Sequence, residues 1–570
     1  MVAVGHDGAM TAPVRAGHVP RSASRGIGRM LLAVIGPPRM GSFWTRTWLF
    51  WWASVAFLRV GIAAPLHPTF FKPHASDSLF EGPVLRFEIT IAGPEMDSLR
   101  REPRKTVPAT LRVGSNTWQR VGVRIKGAAG STRSIDEDPA LTLNADKFVP
   151  GQKVMGLDKF HLNNSVQDPS RMSELVCGDL YRRAGIPAAR ATHALFALNG
   201  RDMGLYVLKE GFDRAFLARN YADASGNLYD GGFLRDIDQD LELDAGKEPP
   251  DWKDLHALAD ACRQPVPTQR NARVDALLDV DRFLTYAALQ VMTEDWDGYP
   301  GNRNNYRLYH DPASGKFVFM PHGMDQMFRH GGMPVDRTFE GMAAQVVMSR
   351  PEWREAYYGR VAALLTNVFT SAAIFRTFDA AVARREVALA RLPPGDAAGI
   401  RQATRELRGS IEQRIPQVAQ MLANRPKPVR LGPEGLVDPT QWVVRMAEGE
   451  GRAERVEEPG GPALMRLTLA GAGAPSWRAR VSLPQGKYRF EARARVRGVE
   501  SSGDAKGVGL GIRVSGAPRA NKIVGTSDWS PLSFDFVLEG TGEVELVAEL
   551  RGQKGTGDFD AGAFRLRLMP

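Results

Sequence analysis

The stretch "DWDGYPGNRNNYRLY", Asp295 to Tyr309, packs two carboxylates and three asparagine amides into little more than a dozen residues. Taken alone it reads as a polar surface loop, because Asp, Asn, Gly and Pro are the ordinary residues of turns. Its surroundings favour chemistry instead. A helical pattern, "DVDRFLTYAALQVMTED", leads into it, and "YRLYHDPASGKFVFMP" behind it reads as two short strands joined by a turn. The next polar element, "PHGMDQMF", carries Asp325. Phosphoryl transfer needs a carboxylate near the attacking hydroxyl, and oxygen ligands for the divalent cation that neutralises the phosphates. Asp297 fits the first role. Asn305 and Asp325 fit the second, returned to one point by the hairpin between them. Asp295 is an alternative base, although an acid just after a helix commonly caps or braces. Asn302 and Asn304 read as turn formers.

The elements that must hold these residues follow from periodicity. Residues 85–165 alternate apolar and polar side chains in "VLRFEITIAG", "RVGVRIKGAAGS", "PALTLNADKF" and "KFHLNNS", and read as strands with turn punctuation. "DPSRMSELVCGDLYRRAGIP" reads as a helix, with Asp168 as cap, Pro169 in the first turn and Gly185 at its end. "ATHALFALNGRDMGLYVLKEGFD" is a strand pair turned at Asn199-Gly200. From about 250 to 430 the pattern is helical, and Asp279 or Asp281 can cap the helix before the polar loop. After the Pro/Gly-rich "NRPKPVRLGPEG", residues 436–570 alternate again, as in "KYRFEARARVRG", and read as an antiparallel sandwich. The expected fold class is therefore α+β.

Five fragments in order, "VRIKGAAGSTR", "GLDKFHLNNSVQDPSRMSELV", "LNGRDMGLYVLKEGFD", "GNLYDGG" and "DWDGYPGNRNNYRLYHDPASGKFVFMPHGMDQMF", resemble the spore coat protein H-like (CotH) kinases, atypical relatives of the protein-kinase fold. The resemblance spans roughly residues 85–420. It implies a bilobal domain, with a β-rich lobe over about 85–210 and a helical lobe over about 250–425. It also implies use of ATP with Mg2+ or Mn2+ to phosphorylate secreted or surface proteins. Asp297 falls on the family's loop carboxylate and Asn305 on its asparagine. Many relatives read Trp-Asp-x-Asp or Trp-Asp-x-Asn after the hairpin. Here Gly323 stands at the first acidic position, leaving Asp325 as the remaining ligand; a catalytically impaired scaffold is the alternative reading. A kinase also pairs a lysine with a helix glutamate to hold phosphates. Glu174 is the natural glutamate, and Lys159 or Lys126 its lysine, unless both are solvated strand residues. The "GAAGS" turn offers backbone N–H groups to phosphates, or is simply a small-residue turn. Glu210 and Gly211 sit where a hinge would offer its backbone to adenine. Asn163 and Asn164 read as braces between lobes.

Length and charge bound the rest. At 570 residues the chain exceeds one hydrophobic core. Its net charge is +10, but residues 1–64 hold seven arginines and a single acid, so the remainder is nearly balanced and makes no electrostatic case for nucleic acid. The apolar run "TWLFWWASVAFL" inside that basic leader is short for a membrane span of about 20 residues. It reads as an export signal or, alternatively, a retained anchor within residues 47–64, with translation starting at Met1 or Met40. An exported location follows, with no membrane contact beyond the leader. Cys177 and Cys262 read as two buried thiols rather than a disulfide framework. No GxSxG, HExxH or Walker-type phosphate loop occurs. In the sandwich, "GDFDAGAFRL" resembles the last strand of carbohydrate-binding jelly rolls, and Trp442, Trp477 and Trp529 are either sugar-stacking or core aromatics.

Overall fold

The computed structural model describes residues 72–569, apart from 129, 426–430, 432–434, 484–485, 501–506 and 539–541. The leader, with its export-signal and anchor readings, lies outside the described residues.

The first elements are α1 (Asp77–Glu81), β1 (Leu85–Thr90), α2 (Gly93–Arg101), β2 (Val107–Val113), β3 (Asn116–Lys126), β4 (Ala140–Asn144) and β5 (Lys159–Asn163). Then come α3 (Ser173–Arg183), β6 (Ala191–Leu198) and β7 (Arg201–Glu210). The seven strands close into a barrel in the order β1-β2-β3-β4-β5-β7-β6. Val123, Leu141, Leu143, Phe160, Leu162, Tyr206 and Leu208 share one core with the inner side of the barrel, as period-two alternation requires. Asn199 and Gly200 turn β6 into β7 with φ of +48° and +82°, the two left-handed residues that a two-residue hairpin demands. Helix α2 departs from the all-strand reading of this region. Pro94 in its first turn and the buried Leu99 make "GPEMDSLRR" a short helix between strands.

The chain continues with α4 (Arg214–Asn220), β8 (Leu228–Asp230), β9 (Glu242–Ala245), α5 (Lys253–Arg263), α6 (Pro267–Leu277) and α7 (Val280–Met292). Next are α8 (Tyr299–Asn302), β10 (Tyr306–Asp311), β11 (Lys316–Pro321), α9 (Met342–Ser349), α10 (Pro351–Asn367), α11 (Ser371–Leu389) and α12 (Pro394–Asn424). Four strands form a small sheet, β11-β10-β8-β9. Asp279 caps α7 by accepting from the Arg282 N–H at 3.1 Å. The sequence suggests one apolar face for α7, but every residue from Phe283 to Met292 is buried. The reason is packing on several sides, since α3, α10, α12 and β11 all touch it. Arg385 and Arg414 are fully buried and act as staples through backbone carbonyls: Arg385 donates to Ser170 at 2.7 Å, and Arg414 to Val291 at 2.8 Å and Met333 at 2.7 Å.

The last strands are β12 (Val443–Gly449), β13 (Arg452–Glu457), β14 (Ala463–Leu469), β15 (Gly473–Leu483) and β16 (Gly486–Val499), then β17 (Gly509–Val514), β18 (Gly525–Leu538), β19 (Gly542–Arg551), β20 (Gly555–Asp560) and β21 (Arg565–Met569). They form a four-stranded sheet, β12-β15-β19-β17, and a second sheet, β13-β14-β20-β16-β18, with β21 paired to β16. As expected for a half-buried strand, Tyr488, Phe490, Ala492, Ala494 and Val496 of β16 enter the core. Trp442 and Trp477 also belong to that core, at 3% and 4% exposure, which removes both as sugar-stacking surfaces. Trp442→Ala is expected to cost about 3–5 kcal/mol, as for other buried aromatics. A lower denaturation midpoint would show it, and an unchanged one would mean the indole is not packed. Cys177 and Cys262 are free and buried.

Candidate active site

Strand register gathers the polar side chains of the barrel onto one outer face. Arg124 pairs with Thr142, Thr142 with His161, and His161 with Lys209. Because side chains alternate, Lys126, Lys159 and Asn163 share that face. It forms one wall of a cleft of about 590 Å3, whose lining also includes Asp230, Asp244, Asp297, Asn305, Arg307 and Asp325. Such a volume lies within the range of about 300–1,000 Å3 common for small-molecule sites. Of the sequence candidates, Lys126, Lys159, Glu174, Asp297, Asn305 and Asp325 all line it.

Glu210 does not. It has the opposite parity from Lys209, and its carboxylate accepts from Arg190 and Arg219, each at 2.7 Å. Its N–H donates to the Arg190 carbonyl, and that of Gly211 to the Lys159 carbonyl, both at 2.9 Å. Neither N–H is therefore free for a ligand, which corrects the hinge reading.

The lysine paired with Glu174 also differs from expectation. Lys209 holds it at 2.8 Å, with both side chains almost wholly buried. Glu174 sits near the start of α3, which begins at Ser173, later than the sequence suggested. Asp168 still serves that helix, accepting from the Ser173 N–H at 2.9 Å. Glu174 also accepts from the Met324 N–H at 3.2 Å, so it ties the barrel to the segment carrying Asp325. Lys159 pairs instead with Asp244 at 2.7 Å. Lys126 donates to Asn163 Oδ1 at 2.8 Å. Burial, reinforced by the nearby Lys209 charge, pushes the Lys126 ammonium down to about 8. Arg307, directly after the asparagine loop, completes a buried network with Asp230 at 2.6 Å and Asp244 at 2.8 Å. Composition alone did not single out Lys209, Arg307, Asp230 or Asp244. The available signal was alternation in "GLYVLKEG", which puts Lys209 on the face of Val207, away from Leu208 and Glu210.

Asp297 is gripped by amides. Its carboxylate accepts from Asn302 at 2.7 Å, Asn304 at 3.0 Å and Asn305 at 2.8 Å. Asn302 and Asn304 are thus more than turn formers: they fix the orientation of this acid. Asp295 is buried and accepts from Gln290 at 3.0 Å. Burial, with Asp297 beside it, raises its carboxyl well above the usual range, and its bond to Gln290 makes it a brace within the loop.

Asp325 stands apart from both. Burial, reinforced by the nearby Glu174, pushes its carboxyl up to about 6. Asn305 donates its amide N–H to Asp297, which leaves its oxygen for other partners. A magnesium ion commonly takes one or two protein oxygens and completes its octahedron with phosphate and water. Among the described residues no group of three or more His, Cys, Asp or Glu side chains could hold a metal by itself. The donor set of Asp325 and Asn305 fits a cation that arrives with phosphates.

Gly323, where the family resemblance implies an acid, has φ +61°. A Cβ there would lie 2.5 Å from Asn305 Oδ1, and Asn305 is fixed by Asp297. Gly323→Asp is therefore expected to lose at least about 1–2 kcal/mol from the left-handed backbone alone. It should not tighten metal binding. Unfolding and Mn2+ titrations check this, and a variant as stable as the parent with stronger Mn2+ binding would refute it.

Three comparisons bear on these residues. Residues 123–393 match the family model described as CotH kinase protein. The inner spore coat protein H of Bacillus subtilis (strain 168) is 27% identical over 250 residues, covering 39% of this chain and 66% of that protein. Invasin CotH3 of Rhizopus delemar is 24% identical over 254 residues, covering 40% of this chain and 41% of that one. Thus the chain spans less than two thirds of either relative. Among solved structures, TmCBM61 with β-1,4-galactotriose has a TM-score of 0.18 at 18% identity, covering 22% of this chain and 88% of that one. The CBM22-1 xylan-binding domain from Paenibacillus barcinonensis Xyn10C has 0.15 at 16% identity, covering 22% and 85%. Scores this low fix neither fold nor ligand. The family match coincides with the residues that build the cleft: residues 123–393, just under half of this chain, are similar to the CotH family model.

Proposed function

We propose that the cleft binds ATP with Mg2+ or Mn2+ and transfers its γ-phosphoryl group to a Ser or Thr hydroxyl of a secreted or surface protein. In this reading the barrel and the helical region are the two lobes of a kinase-like domain. The observation that carries it is the convergence of Asp297, Asn305, Asp325 and the Lys209–Glu174 pair on one cleft.

Each residue then has a defined task. Lys209, steadied by Glu174, neutralises phosphate oxygens, and Lys126 adds a second cation without a carboxylate of its own. Asp325 and the Asn305 amide oxygen would hold the divalent cation, which when bound neutralises charge on the phosphates. Asp297, aimed by its three amides, orients the acceptor hydroxyl and takes its proton as the oxygen bonds to the γ-phosphorus. The bond from that phosphorus to the bridging oxygen breaks, and ADP leaves with the electron pair. Lys159 and Arg307, tied to Asp244 and Asp230, keep the wall of the cleft fixed, so that positioning supplies much of the rate. Incubating the full chain with labelled ATP, Mn2+ and a Ser-rich acceptor tests this. Label should reach the acceptor, and transfer undiminished in Asp297→Ala would remove the assigned base.

Gly323 favours a second reading, a pseudokinase scaffold whose sandwich holds envelope glycans. Trp529 is the one candidate tryptophan outside the sandwich core, with Arg493 and Arg495 within 5.4 and 4.8 Å of its ring. Glycan capture lost in Trp529→Ala, without any nucleotide binding, would support that role. The leader and the spore-coat and invasin relatives support an exported or surface location in either reading.

A further inference from the structure

Asp297 lines the nucleotide cleft, but its neighbour Trp296 lines a different cavity, a shallow one widely open to solvent. This second space, of about 600 Å3, is bounded by Trp296, His330, Gly331, Gly332, Met333 and Arg337, and no carboxylate lines it. The Trp296 indole is 37% exposed and meets the His330 ring edge-on at 5.7 Å. By contrast, Tyr299 and Tyr306 in the same loop are fully buried.

The floor of the cavity is held rigid. Glu294, at φ +60°, accepts from the backbone N–H groups of His330 at 3.2 Å, Gly331 at 3.2 Å and Gly332 at 2.7 Å. Arg414 lies 3.4 Å from the same carboxylate and donates to the Met333 carbonyl. Preorganisation of this kind lowers the cost of ordering a ligand.

Arg337 reaches this floor because residue 301 is glycine. A Cβ there would stand 2.8 Å from Arg337 Nη2 and 3.0 Å from the Trp296 carbonyl oxygen. Its guanidinium donates to Met333 Sδ at 3.2 Å and has no carboxylate within ion-pair distance among the described residues. Asp295 and, more weakly, Glu340 act on it only from beyond that distance. A half-buried guanidinium with no carboxylate in direct contact favours an incoming carboxylate, which it can meet with two parallel N–H donors.

We propose that this cavity docks the acceptor polypeptide, and that Arg337 selects a segment carrying Asp or Glu close to the hydroxyl that reacts. This rests on the phosphotransfer reading. The acceptor chain lies across Trp296, its carboxylate pairs with Arg337, and its hydroxyl reaches Asp297, the residue next to Trp296 in the chain.

The test uses the full chain and two fluorescein-labelled peptides, a Ser-Asp repeat and a Ser-Lys repeat of equal length, read by anisotropy with and without MnATP. The Ser-Asp peptide should bind at least about tenfold more tightly, the size of one charged hydrogen bond. Arg337→Glu should invert the order, and Trp296→Ala should weaken the Ser-Asp peptide by about tenfold. Arg391→Glu, an exposed reversal of equal charge elsewhere, should leave the order unchanged. Equal binding, binding of neither peptide, or a preference that survives Arg337→Glu would overturn the proposal. Acidic-peptide preference without phosphoryl transfer would instead count against the phosphotransfer reading and leave the docking site standing.

Discussion

Lys209→Met is expected to abolish metal-dependent nucleotide binding and to lower stability by about 3–5 kcal/mol, the usual consequence of stranding one member of a buried ion pair. Glu174 would be left buried with only the Met324 N–H as partner. The loss of folding stability alone would not identify a phosphate role, because any structural ion pair behaves this way. A double variant, Lys209→Met with Glu174→Gln, separates the two. Removing both charges should recover most of the stability, since buried pairs replaced together are often neutral. Nucleotide binding should stay lost, because the cation is gone. Calorimetric unfolding beside nucleotide titration reads both quantities, and a double variant that binds MnATP like the parent would make the pair purely structural. Lys159→Met is the informative contrast. It breaks the bond to Asp244, yet Arg307 still pairs with that carboxylate at 2.8 Å, so a smaller loss of stability is expected.

The second large effect concerns Asp325 and pH. Its carboxyl titrates at about 6 in the folded chain, against about 4 for an unfolded aspartate. Between those values the folded state keeps a proton that the unfolded state has released. The contribution of Asp325 to the stability of the metal-free protein is therefore fullest below pH about 4 and is lost as pH rises to about 6. Cation binding runs the other way, because it needs the ionised carboxylate. Apparent Mn2+ affinity in the presence of ATP should rise about tenfold per pH unit up to about 6 and then level off. Asp325→Asn should remove that dependence, cost at least about a hundredfold in transfer by the scale of lost transition-state electrostatics, and render metal-free stability less sensitive to pH between about 4 and 6. A variant that keeps the parent's metal dependence would place the cation elsewhere.

How much of this was legible depends on the range of the contacts. Asp297, Asn305 and Asp325 lie within one loop and hairpin, and the β10–β11 register that pairs Tyr306 with Pro321 returns the chain over few residues. Local pattern is therefore enough to bring them to one cleft. The Asn199-Gly200 turn and the buried face of β16 were legible for the same reason. Lys209 was not, because its role comes from strands far apart in sequence: β5 must lie beside β7 before His161 and Lys209 share a face. The backbone hinge expected at Glu210 and Gly211 fails for the same long-range reason, since their N–H groups are taken by the Arg190 and Lys159 carbonyls. The three tryptophans of the sandwich look alike in sequence, and only packing separates the two core rings from Trp529. Helix α2 hid within a region of alternating residues, where Pro94 was its main local signal. Gly323 shows the opposite case. The family resemblance implies an acid there, and the Asn305 side chain shows why a Cβ does not fit.

The direct test of the whole account is calorimetric titration of the full chain with ATP, with and without Mn2+, on the parent and Asp325→Asn. The phosphotransfer reading depends on Lys209, Asp297, Asn305 and Asp325 meeting one nucleotide and its cation. The expected result is binding that requires Mn2+ in the parent and disappears in the variant. Binding of equal strength without metal, binding unaltered by the substitution, or no heat from the parent under any of these conditions would contradict it.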